Sequence, residues 1–460
     1  MKPLAPGTRV HFIGIGGAGL SAIARILMER GCVVSGSDTH ASEVTAKLAA
    51  DGAQVFHGHG AANVRGADLV LATSAVADDN VEITAAAALG IPVFRRQAIM
   101  RSLLQGFDTI AVAGTHGKTT TTSMIAHIML AAGESPSYIV GGAMGNTGKN
   151  AAVGCGKAFV IEADEYGNMF HGLDPKLAVV TNVEHDHPDF FETADELASA
   201  FKRFVELLGS DGLLVACVDD SGAGAIADAR RRQGLAVRTY GIEAEDADWR
   251  ASDLEFSGSR MRVTVSRNGI ALGEISLGVP GKHNALNALA ALATTHERGV
   301  GFEQGAAALS GFIGTARRFD VRGARQGVIV VDDYAHHPTE ISVNIQAARL
   351  RYPGHPVWVV WQPHTYSRVK QFWTEFVESF SDADQVLVTP IYAARESPFD
   401  GVTSAALAAE LRARQPTVYV PTFDDAVDLL VRSVRAPAVV LIFSAGDANI
   451  IADKYLNHPL

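Results

Sequence analysis

The sequence predicts an α/β protein of three units, on three observations. Residues 9–105 alternate short apolar runs with helical patterns, the alternation restarts at a glycine-rich turn near residue 114, and five further apolar runs follow residue 320. Such alternation marks doubly wound, largely parallel sheets. A chain of 460 residues fits about three domains, which we place at 1–105, 106–318 and 319–460.

In the first unit, 9–15, 33–38 and 67–74 read as strands, with a turn and helix over 16–30. Gly14, Gly16 and Gly19 form G-x-G-x-x-G directly after the first strand. Glycines so placed let the backbone approach a diphosphate seated on the N-terminus of the following helix. Asp38 ends the next strand, at the distance expected for a ribose contact. The fingerprint is Rossmann-like, but it certifies only a diphosphate, which NAD and UDP share. Ser74 closes the third strand and either reaches the same crevice or makes a turn.

The second unit opens on the strand 110–113 and the loop Gly114, Thr115, His116, Gly117, Lys118, Thr119, Thr120, with a helix read from Ser123. A glycine-rich turn between strand and helix, closed by Lys-Thr, is built to hold phosphates. The backbone comes close, N–H groups face the anion, Lys118 supplies a point charge and the Thr119 hydroxyl suits Mg²⁺. It is a P-loop variant: Val112 stands where the standard motif has its first glycine. Further strands are expected at 157–162, 177–182 and 212–216. Glu162 ends one of them in the same sheet as the phosphate loop, a usual place for a Mg²⁺ ligand. Asp164 and Glu165 read as hydrogen-bonding or solvated neighbours. Residues 181–189 crowd two histidines and three acids at one strand end, either as loop structure or for metal or phosphate chemistry. Hard oxygen donors and the absence of cysteine argue against zinc there. Alternation before Asn268-Gly269 signals a hairpin, which makes the central sheet mixed, and 285–295 reads as a helix.

In the third unit, strands are expected at 327–331, 357–361, 385–389, 417–420 and 438–443. Polar loops follow four of them, at 332–340, 362–368, 390–395 and 444–449. In a parallel sheet all strand carboxyl ends share one edge, so these loops converge on one crevice of a second Rossmann-like unit.

Composition narrows the function. Lys and Arg number 39 against 50 Asp and Glu, a net charge of −11, which excludes a broad nucleic-acid or membrane surface. No apolar run is long enough to span a bilayer. Cys32, Cys155 and Cys217 form no spacing motif and suit a reducing compartment. Residues 1–7 lead straight into a strand, so no signal peptide and a cytoplasmic location are expected.

Taken in order, the segments 11–19, 114–120, 162–165, 281–288, 317–319, 332–340 and 363–368 resemble the Mur ligase family of peptidoglycan synthesis over essentially the whole chain. The resemblance is strongest to the branch that adds L-alanine to UDP-N-acetylmuramate. It implies that a carboxylate attacks the γ-phosphate of ATP, and that an amine then displaces phosphate from the acyl phosphate. By similarity, Lys118 holds the phosphates, Thr119 and Glu162 bind one Mg²⁺, and His187 serves a second. Asn284 and Asn287 lie near the nucleotide; helix capping is the bland reading for Asn284 and a poor one for Asn287. Arg318 and Asp333 carry the third unit to ATP on closure. Tyr334, His336, His364 and Arg368 meet the amino acid and the acyl phosphate, Arg368 suiting a carboxylate. Gly14, Gly16, Gly19, Asp38 and Ser74 hold UDP. No nucleic acid or membrane insertion is implied, and the chain is expected as a monomer or homodimer.

Two departures stand out. Tyr166-Gly167 replaces a common Ser-Asp and resembles the related branch that attaches a recycled tripeptide to the same nucleotide sugar. Thr365 stands where some alanine-adding ligases carry an additional arginine. Lys202 lies near a lysine that some members carbamylate, and here reads as a solvated helix-face residue. Readings from other classes are a nicotinamide oxidoreductase built on Gly14–Gly19, which leaves the phosphate loop unexplained, and a non-catalytic nucleotide-binding regulator.

Overall fold

The computed structural model describes residues 4–73, 76–257 and 260–459, and their strands form three sheets. In the first, five parallel strands run in the order Gln54–His57, Val33–Asp38, Arg9–Ile13, Leu69–Ala72 and Val93–Arg95. The strand order reverses between Arg9–Ile13 and Leu69–Ala72, and an open parallel sheet holds its ligand beyond such a switch point. The first strand stops two residues short of the expected 15 because Gly14 turns the chain at φ +82°. The helix Ala18–Glu29 follows, starting at Gly17 without a capping side chain.

The central sheet has ten strands, in the order Ala151–Ala152, Ser137–Ile139, Ala158–Glu162, Asp108–Ala113, Leu177–Val180, Leu213–Cys217, Val237–Gly241, Trp249–Ser257, Arg260–Arg267 and Ile270–Leu277. Seven adjacent strands, from Ser137–Ile139 to Trp249–Ser257, are parallel. Residues 110–113 are buried throughout, as a strand covered on both faces must be. The hairpin is present: Arg260–Arg267 and Ile270–Leu277 pair antiparallel through Asn268 (φ +50°) and Gly269 (φ +76°). Two left-handed residues in a row are what a type I′ turn requires, hence Asn-Gly.

The third sheet orders Thr417–Tyr419, Gln385–Val388, Val357–Gln362, Ala438–Ser444, Val328–Asp333 and the antiparallel edge strand Asp320–Arg325. The strand expected to end at 331 continues, because its ladder with Ala438–Ser444 runs on through Asp333↔Phe443. Asp332 and Asp333 are therefore buried strand residues rather than loop residues.

The first and central sheets share one continuous apolar core. Met100 and Leu103 of the helix Arg96–Leu104 belong to the same cluster as Ile161 and Phe170. The third unit keeps its own clusters. Its meeting with the central unit includes polar contacts such as His337 Nε2 with the His185 carbonyl (3.2 Å) and Arg351 Nη1 with the Gly278 carbonyl (3.1 Å). A polar interface of this kind is the sort that opens.

Candidate functional site

The phosphate loop is clamped by sterics on both sides. At Gly114 (φ +142°) a Cβ would fall 1.8 Å from Thr181 Oγ1, and at Gly117 (φ +81°) one would fall 2.6 Å from Asn287 Oδ1. Only glycine fits either place. Asn182 holds the loop further: its carbonyl accepts from Thr115 N (3.1 Å) and its Oδ1 from His116 N (2.7 Å). The helix begins at Lys118, five residues earlier than expected, and Gly117 offers no capping side chain. The N–H groups of Lys118, Thr119 and Thr120 are thus the ones left for an anion.

Lys118 Nζ donates to the carbonyls of Gly114 (2.6 Å) and Thr115 (3.0 Å) and to Glu165 Oε1 (2.9 Å). Burial works against its charge, but Glu165, Glu162 and Asp164 outweigh it and raise its pKa. Burial likewise opposes ionisation of Glu165, which Lys118 and His187 outweigh, lowering its pKa. Glu165 is 1% exposed, and its Oε2 has no hydrogen-bond partner among the described residues. Of the hydrogen-bonding and solvated roles the sequence offers Glu165, the structure shows the first: it is the buried counter-ion of the loop lysine.

Thr119 Oγ1 lies 3.0 and 2.9 Å from the two Glu162 oxygens, and Gly141 N donates to Glu162 Oε2 (2.7 Å). His187 Nε2 lies 3.7 Å from Glu165 Oε1, and the residue takes φ +55°, a costly conformation for histidine that its surroundings must impose. Thr119 and Glu162 are adjacent hard-oxygen donors of the kind Mg²⁺ takes, and His187 lies beside Glu165.

Between the central and third units lies a cavity of about 250 Å³. His116, Gly117, Thr119 and Thr120 line it from the loop, and Asn284 and Asn287 from the helix Lys282–His296. Asp333 closes it from the third unit and Arg318 from the junction between the two, and Tyr240, Val279 and Leu286 add apolar walls. Gly281 is that helix's N-cap, so Asn284 sits at the third helical position and does not cap. Its Nδ2 donates to the Pro280 carbonyl (2.6 Å) and its Oδ1 accepts from Asn287 Nδ2 (3.1 Å), while Asn287 Oδ1 accepts from Thr121 Oγ1 (3.1 Å).

His116 joins the two units. Its Nε2 lies 2.9 Å from Glu184 Oε2, and its Nδ1 lies 3.3 Å from Glu340 Oε1. Burial opposes its charge, but the two carboxylates outweigh it and raise its pKa to about 9. Thr339 Oγ1 donates to Glu184 Oε1 (2.6 Å), adding a second link across the cavity. His116, Glu184 and His337 lie close enough to hold a metal ion. The geometry argues otherwise: His116 faces a carboxylate with each nitrogen, and His337 Nδ1 accepts from Thr339 N (3.3 Å). Arg318 pairs with Glu340 (3.4 Å) and lies over the Tyr334 ring, 5.3 Å from its centroid. Asp333 accepts from Phe319 N (2.6 Å) and Ala335 N (2.7 Å), yet burial outweighs these contacts and Arg318, raising its pKa to about 7.

At the far side of His187, Arg368 is committed to Asp186. Its Nε and Nη2 each lie 2.8 Å from Asp186 Oδ1, and both side chains are buried. Burial opposes ionisation of Asp186, but Arg368 and neighbouring histidines hold its pKa well below the usual range. Arg368 Nη1 donates to His364 Nδ1 (3.1 Å), so that nitrogen is an acceptor and His364 Nε2 carries the proton. His336 Nδ1 lies 2.9 Å from the Tyr334 carbonyl, so it carries the proton and leaves Nε2 as an acceptor. The surroundings hold both rings toward the neutral form. Burial leads in each case, with Arg368 lowering both, to about 4 for His336 and about 2 for His364.

In the first unit, Asp38 is turned to its own loop: its Oδ2 accepts from Gly16 N (2.9 Å). A Cβ on Gly19 would meet the Arg96 guanidinium at 2.7 Å. Arg96 also lies 3.5 Å from Asp164 and joins Glu162 and Asp164 along a narrow cleft leading to the central unit. Ser74 falls outside the described residues. Lys202 is exposed on the helix Ala194–Glu206. Sequence reasoning missed Arg96, Asn182 and Glu340. Only Glu340 carried a signal, its i,i+4 spacing from His336.

A three-unit α/β chain with a clamped phosphate loop facing a third unit across a cavity has the architecture of a nucleotide-dependent enzyme. The Mur ligase catalytic domain matches residues 9–108, the Mur ligase middle domain 112–295, and the Mur ligase glutamate ligase domain 317–446. The chain belongs to the Mur ligase family. It is 42% identical over 450 residues to a UDP-N-acetylmuramate–L-alanine ligase of Geobacter sp., covering 97% of each chain. It is 44% identical over 439 residues to one of Renibacterium salmoninarum, covering 95% of this chain and 93% of that one. Among solved structures, a UDP-N-acetylmuramate-alanine ligase of Thermotoga maritima superposes with a TM-score of 0.84 at 30% identity, covering 97% of this chain and 98% of that one. A murein peptide ligase of Psychrobacter arcticus shares the fold, at a TM-score of 0.73 and 24% identity. Among the described residues no helix is long and apolar enough to cross a membrane.

Proposed function

We infer that the chain joins L-alanine to the carboxylate of UDP-N-acetylmuramate, converting ATP to ADP and phosphate. The observation that carries the reading is a relationship across units. A phosphate loop with a charged, half-buried lysine faces Arg318 across one cavity, and the His336–His364–Arg368 cluster lies on the other side of His187. The tripeptide-recycling ligase shares the fold; the full-length relatives at 42–44% identity favour L-alanine.

In this reading the UDP diphosphate lies on the N-terminus of Ala18–Glu29 beside Arg96, and its sugar carboxylate reaches past Asp164 to the loop. ATP fills the cavity, with its phosphates on the N–H groups of Lys118, Thr119 and Thr120. Thr119 and Glu162 would hold Mg²⁺, with His187 at a second ion; when bound, the cation offsets charge on the phosphates. Lys118 neutralises the γ-phosphoryl group as it passes to the carboxylate. Two anions meet at that step, so most of the barrier is positioning and charge. The His336 Nε2 lone pair accepts a hydrogen bond from the amine, and His364 Nε2–H donates to a departing phosphate oxygen. The amine nitrogen bonds to the acyl carbon, the acyl–phosphate oxygen bond breaks, and the amine proton leaves to solvent.

The route makes a specific demand on oxygen. With ¹⁸O in the UDP-N-acetylmuramate carboxylate, one labelled oxygen should appear in the released phosphate. Unlabelled phosphate would rule out the acyl phosphate.

A further inference from the structure

Arg368, the guanidinium that the sequence marks for a carboxylate, is already taken. Asp186 receives both its Nε and its Nη2, both side chains are buried, and Nη1 donates to His364. Separating such a pair would leave either charge desolvated and alone. An amino acid entering beside His336 and His364 therefore needs a different cation for its α-carboxylate.

Arg395 fits that need. Its guanidinium lies over the Tyr166 ring, 4.6 Å from the centroid, and its Nη2 donates to Asp189 Oδ2. Tyr166 in turn donates its hydroxyl to Asp189 Oδ2 (3.0 Å) and packs its ring against His187, centroids 4.9 Å apart. The side chain is 47% exposed, so part of the guanidinium faces solvent. A guanidinium carries five N–H donors in a planar fork, so one edge on Asp189 leaves another for a ligand.

The backbone bearing Arg395 is fixed to the His364 segment. Thr365 N donates to the Tyr392 carbonyl (2.9 Å) and Tyr392 N to the Pro363 carbonyl (2.8 Å). The Tyr392 ring stacks on His364, centroids 5.6 Å apart. Ser367 N donates to Glu396 (2.8 Å), the residue after Arg395. Ala394 takes φ +52°, a left-handed conformation that these anchors must impose.

We propose that Arg395 binds the α-carboxylate of the incoming amino acid, with Tyr166 and Asp189 orienting its guanidinium. The proposal rests on the ligase reading above. It gives the Tyr166 departure a role: the ring packs on both Arg395 and His187 and aims the guanidinium.

The test varies each substrate in turn for wild type, Arg395→Ala, Arg395→Lys and Tyr166→Phe, and compares L-alanine with L-alaninamide. Arg395→Ala should raise KM for L-alanine about ten- to a hundredfold and leave KM for ATP and UDP-N-acetylmuramate within about twofold. It should also abolish the preference for the acid over the amide. Arg395→Lys should recover part of the loss, since a point charge replaces a fork. Tyr166→Phe keeps the ring face and should cost less than Arg395→Ala. An unchanged KM for L-alanine in Arg395→Ala, or equal losses for acid and amide, would overturn the proposal. If the wild type refuses L-alanine, the ligase reading fails separately, and the acid–amide comparison is made with the amino acid it does accept.

Discussion

Lys118 Nζ lies 2.9 Å from Glu165 Oε1, and both belong to the wall between the phosphate loop and His187. The pair keeps the lysine charged and aimed into the loop. Lys118→Ala should lower kcat by at least about a hundredfold, through lost charge stabilisation. It should also destabilise the fold by about 3–5 kcal/mol, because buried Glu165 loses its lysine and keeps only His187 at 3.7 Å. Lys118→Ala with Glu165→Gln should recover most of the stability but not the activity. Urea unfolding and phosphate release, measured in parallel, separate the two effects.

His116 gives stability a pH dependence. Its pKa is raised from an ordinary 6.5 to about 9, so the folded chain holds the proton more tightly than the unfolded chain. The contribution is complete below about pH 6.5 and is lost as pH rises through about 9, amounting to about 3–4 kcal/mol. The stability difference between wild type and His116→Gln should therefore shrink from pH 6 to pH 9.5. A difference constant over that range would contradict the Glu184–His116–Glu340 bridge.

Gly114→Ala tests the clamp. With φ at +142° and Thr181 Oγ1 1.8 Å from the new methyl, the loop must move. We expect a loss of about 2–4 kcal/mol and no measurable ATP binding by calorimetry. Adding Thr181→Ala should return only part of the stability, since the backbone strain remains.

Arg368→Ala removes the buried cation that Asp186 faces across the units. Breaking such a pair costs about 3–5 kcal/mol, enough to weaken docking of a unit held by polar contacts. Small-angle scattering should show a larger radius of gyration for the variant, and a smaller change when Asp186→Asn is combined with it. An unchanged profile would mean that the third unit is held elsewhere.

What the sequence made legible was local. The spacing of Gly14, Gly16 and Gly19, and that of Gly114 to Thr119, announces phosphate contacts without knowledge of the fold. Partners of charge were not legible, because they lie far apart in the chain: Glu165 is 47 residues from Lys118, and Asp186 is 182 from Arg368. Boundaries failed where tertiary pairing extended an element. Asp332 and Asp333 read as loop, yet the ladder with Ala438–Ser444 carries them into the strand. Asn284 read as a possible cap because the helix was started three residues late, at 285 rather than 282. The edge strand Asp320–Arg325 was missed, since its charged sequence lacks the apolar signature of a buried strand.

The most direct test of the account is phosphate release measured with L-alanine, glycine, L-serine and the recycled tripeptide side by side, with single omissions of ATP, Mg²⁺, UDP-N-acetylmuramate and the amine. The account predicts release only when all four components are present, fastest with L-alanine. Equal turnover without an amine, or a preference for the tripeptide, would contradict it.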